Sequence, residues 1–323
     1  MDGHELDRKR FEREAVEGSG FDTVVEDIAA VRAGDVPAAA RVAATAIHVA
    51  AVAPERLCED WDRMCLGWRG HLPRAEAIVV EDVAPGSVPD NFFPALWALV
   101  DDPDAGTEAG DITVRTAALA GLLEPPFWER VASMTHRYPG VDDAAAHGLP
   151  DRFRFDDIAA CPPGSLGGRL HSLVVDEGFD LEVLDRDDLG LSDLQPPLDY
   201  VNTRMLQCHD VWHEVAGYET TGLHEIAISA FQMAQFGHQY SSMFLSMVMT
   251  KAAFTQPIEG TVLLLDTVLA AWQHGRETPP LLGVEWEEIW DKPMDELRET
   301  VGIAPYDSPY DPSLLEILRN GVA

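Results

Sequence analysis

The feature that most limits how this chain can fold is a series of helical patterns that fills most of its second half. Such patterns cover residues 198–216, 224–252, 258–274 and 285–300. Glycine and proline stand between the segments, and a further break is indicated near Gly237. Because consecutive amphipathic helices must bury their apolar faces against one another, the sequence predicts a mainly α-helical fold.

The first half of the chain is less regular but also favours helices. The stretch from Val24 to Val52 contains two helical segments separated by "AGDVP", and the second segment is rich in alanine. Residues 67–111 mix proline, glycine and short apolar runs, which suit either a strand or short helices. Three further helices are expected from "VRTAALAGLL", from "EPPFWERVASMTHRYP" and from the residues that follow "CPPGS" up to Gly178.

These patterns predict a multi-helix single domain with short ends. We expect a polar N-terminal tail over residues 1–20 and a helical N-terminal region over 21–114 that forms part of the same domain. The main helical domain is expected over 115–305, followed by a C-terminal tail over 306–323. A chain of 323 residues is long enough to bury a substantial core.

The composition of the chain excludes some functions. It has 23 Lys and Arg residues against 56 Asp and Glu residues, which gives a net charge of −33. Most of such a surface would repel a polyanion, so nucleic-acid binding is excluded. The four cysteines form no CxxC pair, as is typical of free thiols in a reducing compartment. The charged start "MDGHELDRKRFEREAVEG" is unlike a signal peptide, so we expect a cytoplasmic protein without a membrane span.

A candidate metal site lies in "LQCHDVWHEVAGYETTGLHEI", residues 206–226. His209 and His213 are four residues apart, so on a helix both imidazoles leave the same face. Asp210 can reach that face as a ligand or as a hydrogen-bond acceptor that fixes a histidine tautomer. "GYETTG" indicates a helix end and a reversal, which would bring Glu225 back in the first turn of the next helix. The segment therefore predicts a metal site between two consecutive helices, with a polar seam on ordinary helices as the alternative.

The ligand types limit which metal such a site would bind. Imidazole nitrogens and carboxylate oxygens suit zinc, iron(II), cobalt or manganese, and they leave room for water or substrate. Cys208 would point about 100° away from His209 around a helix, which makes its thiol a poor candidate ligand. An HExxH metalloprotease is excluded because Asp210 follows the first histidine, and the sequence contains no GxSxG, Walker-type or GxGxxG motif.

Several neighbouring residues allow more than one interpretation. His224 could be a fifth ligand, a proton carrier or an exposed side chain, and Arg204 could meet an anionic substrate or form an ion pair. An apolar and Met-rich stretch follows, whose flexible side chains could line a lipid pocket or simply fill the core. The residues considered for the pocket are Met233, Met243, Phe244 and Met247.

The segment "HDVWHEVAGYETTGLHE" resembles a known signature, HDxxH followed by eleven residues and Glu, of the coenzyme Q biosynthesis protein 4 family. Three flanking segments are also similar to that family: "CPPGSLGGRL", "DYVNTRMLQCHD" and "AAWQHGRETPPLLGVEWEEIWDKPMDELRETVGI". The resemblance covers residues 115–303, whereas the first hundred residues have no clear counterpart. The family usually has glycine immediately before the final Glu, where this chain has His224.

The resemblance implies an α-helical protein that holds a divalent metal through His209, Asp210, His213 and Glu225 and acts in ubiquinone synthesis. Zinc is the first expectation for the metal, with iron, cobalt or manganese as alternatives. The implied reaction is a metal-dependent oxidative decarboxylation, by a lyase or oxidoreductase, at the carboxylate-bearing ring carbon of a polyprenylated 4-hydroxybenzoate-type precursor. The alternatives are a noncatalytic lipid-binding scaffold that organises quinone-biosynthesis enzymes and a metal-dependent hydrolase.

The resemblance also implies partners for this chain. The expected ligand is a polyprenyl aromatic lipid, and its apolar tail would need a groove for which the Met-rich helices are the candidates. Other quinone-biosynthesis proteins and a second copy of the chain, in a homo-oligomer, are further expected partners. A lipid substrate would bring the cytoplasmic protein to the inner face of the membrane as a peripheral protein.

Overall fold

The computed structural model describes residues 3–78, 83–103, 109–178, 180–182 and 184–321. Within these ranges the regular secondary structure consists of sixteen α-helices and three short 3-10 helices, without a β-strand. The α-helices are α1 Gly3–Glu17, α2 Phe21–Arg32, α3 Val36–Ala51, α4 Leu57–Arg69, α5 Phe92–Asp101, α6 Ala109–Ala120, α7 Pro125–Thr135, α8 Val141–Ala145, α9 Phe155–Ala159, α10 Leu166–Glu177, α11 Leu198–Ala216, α12 Gly222–Phe236, α13 Gln239–Thr255, α14 Ile258–Glu277, α15 Met294–Val301 and α16 Leu314–Gly321. The predicted mainly α-helical fold is confirmed.

The helix boundaries follow the local signals in most places. The break expected near Gly237 separates α12 from α13, and this glycine has a φ of +67°, which glycine adopts more readily than other residues. The helix expected over 285–300 is shorter than the pattern, because Pro293 precedes α15 and only a 3-10 turn, Trp286–Glu288, forms before it. In the described part of 67–111, helix α5 forms and no strand does.

Helix α13 lies in the middle of the molecule and packs closely against α3. The alanines of α3 let the two backbones approach, and the Ser246 hydroxyl donates a hydrogen bond of 2.8 Å to the carbonyl oxygen of Ala46. The Gln239 side-chain amide donates another bond, of 2.6 Å, to the carbonyl of Ala50. One cluster of buried apolar side chains extends from Phe11 in α1 to Tyr306 beyond α15. The N-terminal helices therefore share the core of the C-terminal ones.

Helices α12 and α14 pack closely against each other. A Cβ atom on Gly275 of α14 would lie only 2.6 Å from the backbone oxygen of Phe231 in α12. The Gln235 side chain donates a hydrogen bond of 2.7 Å to the Gly275 carbonyl across the same contact. This contact packs the last turns of α12 against α14, whereas Glu225 stands in the first turn of α12.

No single helix in the described ranges is both long and apolar enough to cross a membrane. Among the described residues, one pair of segments, Val36–Ala51 and Pro54–Arg69, passes that test together, and the two are bent by 119° relative to each other.

Candidate metal centre

The site is built where α11 ends and α12 begins. Helix α11 ends at Gly217, whose φ of +75° allows the sharp reversal, and α12 starts five residues later. The side chains of α11 that face the core include Val211, Trp212 and Val215, which are at most 1% exposed. His209 and His213 therefore sit at the edge of a well-packed helix, opposite the first turn of α12.

The ligand atoms of His209, His213 and Glu225 converge in the structure. The two Nε2 atoms are 3.2 Å apart. The Glu225 carboxylate places one oxygen 3.4 Å from Nε2 of His209 and the other 3.3 Å from Nε2 of His213. Asp210 lies near the two histidines, because candidate ligand atoms of His209, Asp210 and His213 all lie within 4.8 Å of one another, a set that does not include Glu225.

These separations fit a common metal ion. Two ligands that each stand about 2.1 Å from a tetrahedral ion are about 3.4 Å apart, which is close to all three separations among His209, His213 and Glu225. The donor set of two imidazoles and carboxylates suits zinc, iron(II), cobalt or manganese. Asp210 lies near both histidines and would be the fourth protein ligand or an outer acceptor.

Hydrogen bonds direct both imidazoles towards the centre of the group. Nδ1 of His213 lies 3.0 Å from the carbonyl oxygen of Tyr218, which can only accept, so Nδ1 carries a proton and Nε2 is the nitrogen that faces Glu225 and could bind a metal. Nδ1 of His209 lies 2.7 Å from the side-chain nitrogen Nε2 of Gln232, which donates to it when the ring is neutral. Turned by 180°, the amide would present its oxygen, accept a proton from Nδ1 and leave Nε2 of His209 free for a metal.

Gln232 was not predicted from the sequence. Its side chain is buried, 2% exposed, and it stands seven residues after Glu225, which places both on one face of α12. The seven-residue spacing from Glu225 was the available sequence signal for Gln232. Because a single glutamine in an apolar helix matches no known motif, its role becomes clear only from its contact with His209 of α11.

The charges of Glu225 and His209 depend on each other. Burial opposes ionisation of Glu225, but hydrogen bonds from His209 and His213 outweigh it and hold the pKa of this carboxyl well below its ordinary value. Burial likewise lowers the pKa of His209, but the bond to Glu225, with help from the charge of Asp210, raises it overall. The pair is therefore stable as imidazolium and carboxylate, and a metal that binds there has to displace the proton of His209.

His224 precedes Glu225 in the sequence, but its ring contacts the turn between α11 and α12. Its side chain is 3% exposed, and its Nδ1 accepts a hydrogen bond of 2.8 Å from the backbone N–H of Glu219. The ring packs edge-on against Tyr218 and Tyr306. Burial, together with the nearby His213, lowers the pKa of His224, so the ring is neutral at pH 7. The structure thus uses one nitrogen of His224 to hold the turn between α11 and α12.

Arg204 is buried rather than exposed. One guanidinium nitrogen donates to the carbonyl of Val284 at 2.6 Å and to Glu287 at 3.1 Å, while another donates to Gln207 at 2.6 Å. These bonds join α11 to the 3-10 turn that follows α14. Burial raises the pKa of Cys208 to about 12, so its thiol stays protonated and is a poor metal ligand.

The four residues considered for a lipid pocket lie on α12 and α13. Met233, Met243 and Met247 are at most 1% exposed and belong to the main core cluster. Phe244 is half-buried and stacks on Tyr240, with ring centroids 6.3 Å apart. Their role in lipid binding stays a prediction.

One family model and several known proteins are similar to this chain. A family model described as "Coenzyme Q (ubiquinone) biosynthesis protein Coq4" matches residues 150–307. The mitochondrial ubiquinone biosynthesis protein COQ4 homolog of Mus musculus is 32% identical over 114 residues, which are 33% of this chain and 40% of the relative. The mitochondrial homolog 1 of Culex quinquefasciatus is 29% identical over 206 residues, which are 58% of this chain and 72% of the relative.

A solved structure is also similar. It comes from a Nostoc punctiforme protein assigned to ubiquinone biosynthesis, with 24% identity, a TM-score of 0.49, and coverage of 66% of this chain and 97% of the other. The chain spans about 40% of the length of the first curated relatives that it matches.

The predicted cytoplasmic location is wrong in the light of these relatives. The curated homologs from Mus musculus and Zygosaccharomyces rouxii are both named mitochondrial proteins. The prediction depended on the charge of the first residues and on overall composition. Neither property determines the compartment in which a folded chain acts.

Proposed function

Residues 150–307 of this chain belong to the Coq4 family, and from this membership we propose that the chain acts in ubiquinone synthesis. Relatives named as ubiquinone biosynthesis proteins support the proposal. The substrate class that we propose is a polyprenylated 4-hydroxybenzoate-type ring. Other quinone-biosynthesis proteins, the lipid itself and a second copy of the chain are the proposed partners.

The proposed reaction is a metal-dependent oxidative decarboxylation of that ring. The ring carboxylate leaves as carbon dioxide, the same carbon gains a hydroxyl group from water, and the two electrons released pass to the candidate oxidant, dioxygen, which becomes hydrogen peroxide. His209, Asp210, His213 and Glu225 would hold the divalent metal. A metal bound there would supply a positive charge that stabilises carboxylate or phenolate oxygen.

The observation that carries the proposal is the convergence of two imidazole nitrogens and a carboxylate within 3.2–3.4 Å. Around it, the Tyr218 carbonyl holds the tautomer of His213, and Gln232 holds the ring of His209. The Glu225 side chain is 41% exposed, whereas that of His213 is 2% exposed, so the group is open on the side of Glu225. A substrate would approach from that side.

The test is turnover by protein of defined metal content. Wild type and His213→Ala would each be loaded with zinc or iron(II) and given the prenylated hydroxy acid with dioxygen, and the products would be followed by mass spectrometry. We expect metal-dependent loss of carbon dioxide with gain of oxygen in wild type alone. Tight lipid or partner binding without turnover would refute the decarboxylase and favour the scaffold, and turnover of esters or phosphates would favour a hydrolase.

A further inference from the structure

The C-terminal segment, residues 303–316, lies across the two helix ends that carry the metal group. Its first contact is with the end of α11. The backbone N–H of Tyr306 donates a hydrogen bond of 2.8 Å to the carbonyl of Ala216. A Cβ atom on Gly217 would lie 3.0 Å from Pro305, so the segment and the turn touch directly. The last turn of α11, which holds His213, is thereby attached to the C-terminal segment.

Arg298, just before this segment, adds to the same attachment. Its guanidinium donates to the carbonyls of Val215 at 2.9 Å and Glu214 at 2.8 Å. These carbonyls stand at the end of α11, where a helix leaves its last acceptors unpaired and its dipole favours a cation.

The second contact is with the start of α12. The Glu316 carboxylate, from α16, accepts a hydrogen bond of 2.9 Å from the backbone N–H of Gly222. Thr221, the N-cap residue of α12, makes no side-chain capping bond of its own. Glu316 therefore supplies the cap of the helix whose first turn holds Glu225, and its charge suits the N-terminus of that helix.

The two contacts are joined by Tyr218, which follows the reversal. Its ring stacks on Tyr306 with centroids 4.5 Å apart, and its carbonyl accepts the proton of His213 Nδ1. Its hydroxyl donates to Nδ1 of His274 at 2.8 Å, and His274 in turn donates to the carbonyl of Ala304 at 2.8 Å. The residue that holds His213 is thus itself held by the C-terminal segment.

From these contacts we propose that residues 303–316 position the metal ligands. The segment holds the end of α11 and the start of α12 at a set spacing, so that His213 and Glu225 meet at the distance a metal requires. Its members are positioning residues, because none of them belongs to the group of converging ligand atoms. The inference rests on the proposed metal function and adds a structural requirement to it.

The test compares cobalt(II) binding by three variants of the full chain. Glu316→Ala removes the cap of α12. Glu316→Gln keeps an acceptor oxygen, and Glu296→Ala removes an exposed carboxylate of α15 that pairs with Lys292 at 3.1 Å, as a matched control. Cobalt(II) affinity would be measured by competition with a chelator at fixed pH, and ligand geometry by the visible absorption spectrum. The melting temperature of the metal-free proteins would be measured alongside.

We expect Glu316→Ala to bind cobalt(II) about fivefold more weakly, the factor that corresponds to a lost helix cap, and to change the absorption spectrum. Glu316→Gln should restore most of the affinity, and Glu296→Ala should match wild type. Wild-type affinity and spectrum in Glu316→Ala would overturn the inference alone. Failure of wild type itself to bind cobalt(II) would overturn the proposed metal function as well.

Discussion

Replacing Gln232 by leucine tests whether the site is organised for a metal. The side chain is 2% exposed and meets Nδ1 of His209 at 2.7 Å, so leucine fills similar space but removes the hydrogen bond. Without its partner the imidazole can rotate and change tautomer. Losses of this kind lower metal affinity by about 10- to 100-fold, which is about 1.4–2.7 kcal/mol of binding free energy.

Gln232→Glu gives the opposite change at the same position. A carboxylate can only accept, so it fixes a proton of His209 on Nδ1 and makes Nε2 a better electron-pair donor. We therefore expect this variant to bind zinc or cobalt(II) at least as tightly as wild type. The assay is a competition titration of each protein against a chelator of known affinity, at one pH.

Gln235→Leu is the matched control for these variants. Gln235 is a buried glutamine of the same helix, but its amide donates to the Gly275 carbonyl at 2.7 Å. Its loss should lower the free energy of unfolding by about 1–3 kcal/mol, since it leaves buried backbone groups unpaired, without a comparable change in metal affinity. Equal metal affinity in wild type and Gln232→Leu would refute the assignment of His209 as a ligand held by Gln232.

Three further predictions follow from the same contacts. His213→Ala and Glu225→Ala should each lose bound metal in elemental analysis of the purified protein; full metal content in both would exclude the site. In the metal-free protein, the stabilisation from the Glu225–His209 pair should be complete between about pH 4.5 and 6.5: the contribution of Glu225, whose pKa is lowered from 4.5, is lost as pH falls, and that of His209, whose pKa is raised from 6.5, is lost as pH rises. Thermal melts of wild type and Glu225→Gln would measure it, and a melting-temperature difference that stays the same outside this window would contradict the paired charges. Gly275→Ala should lower the free energy of unfolding by about 1–3 kcal/mol, because the added Cβ would lie 2.6 Å from the backbone oxygen of Phe231. Denaturant unfolding would measure it, and an unchanged midpoint would show that α12 and α14 can move apart without cost.

The ligand candidates were accessible from the sequence because they depend on local geometry. A spacing of four residues places His209 and His213 on one face of any α-helix, whatever packs around it. The glycine at 217 predicted the end of that helix, and the reversal predicted Glu225 in the next first turn. The break at Gly237 was accessible for the same reason, since a helix end is set by a few neighbouring residues.

The environment of those ligands was decided only by tertiary structure. Gln232 comes to His209 from another helix, and Glu316 caps α12 from 94 residues away. The sequence did not determine the partners of Arg204 and His224. In the folded protein Arg204 donates to the carbonyl of Val284, and His224 accepts from the backbone N–H of Glu219. The hydrogen bonds between neighbouring turns of a helix determine which residues share a helix face, so a local pattern predicts that face. The residue that each side chain contacts depends on how helices distant in the sequence pack, and a local pattern contains no information about that packing.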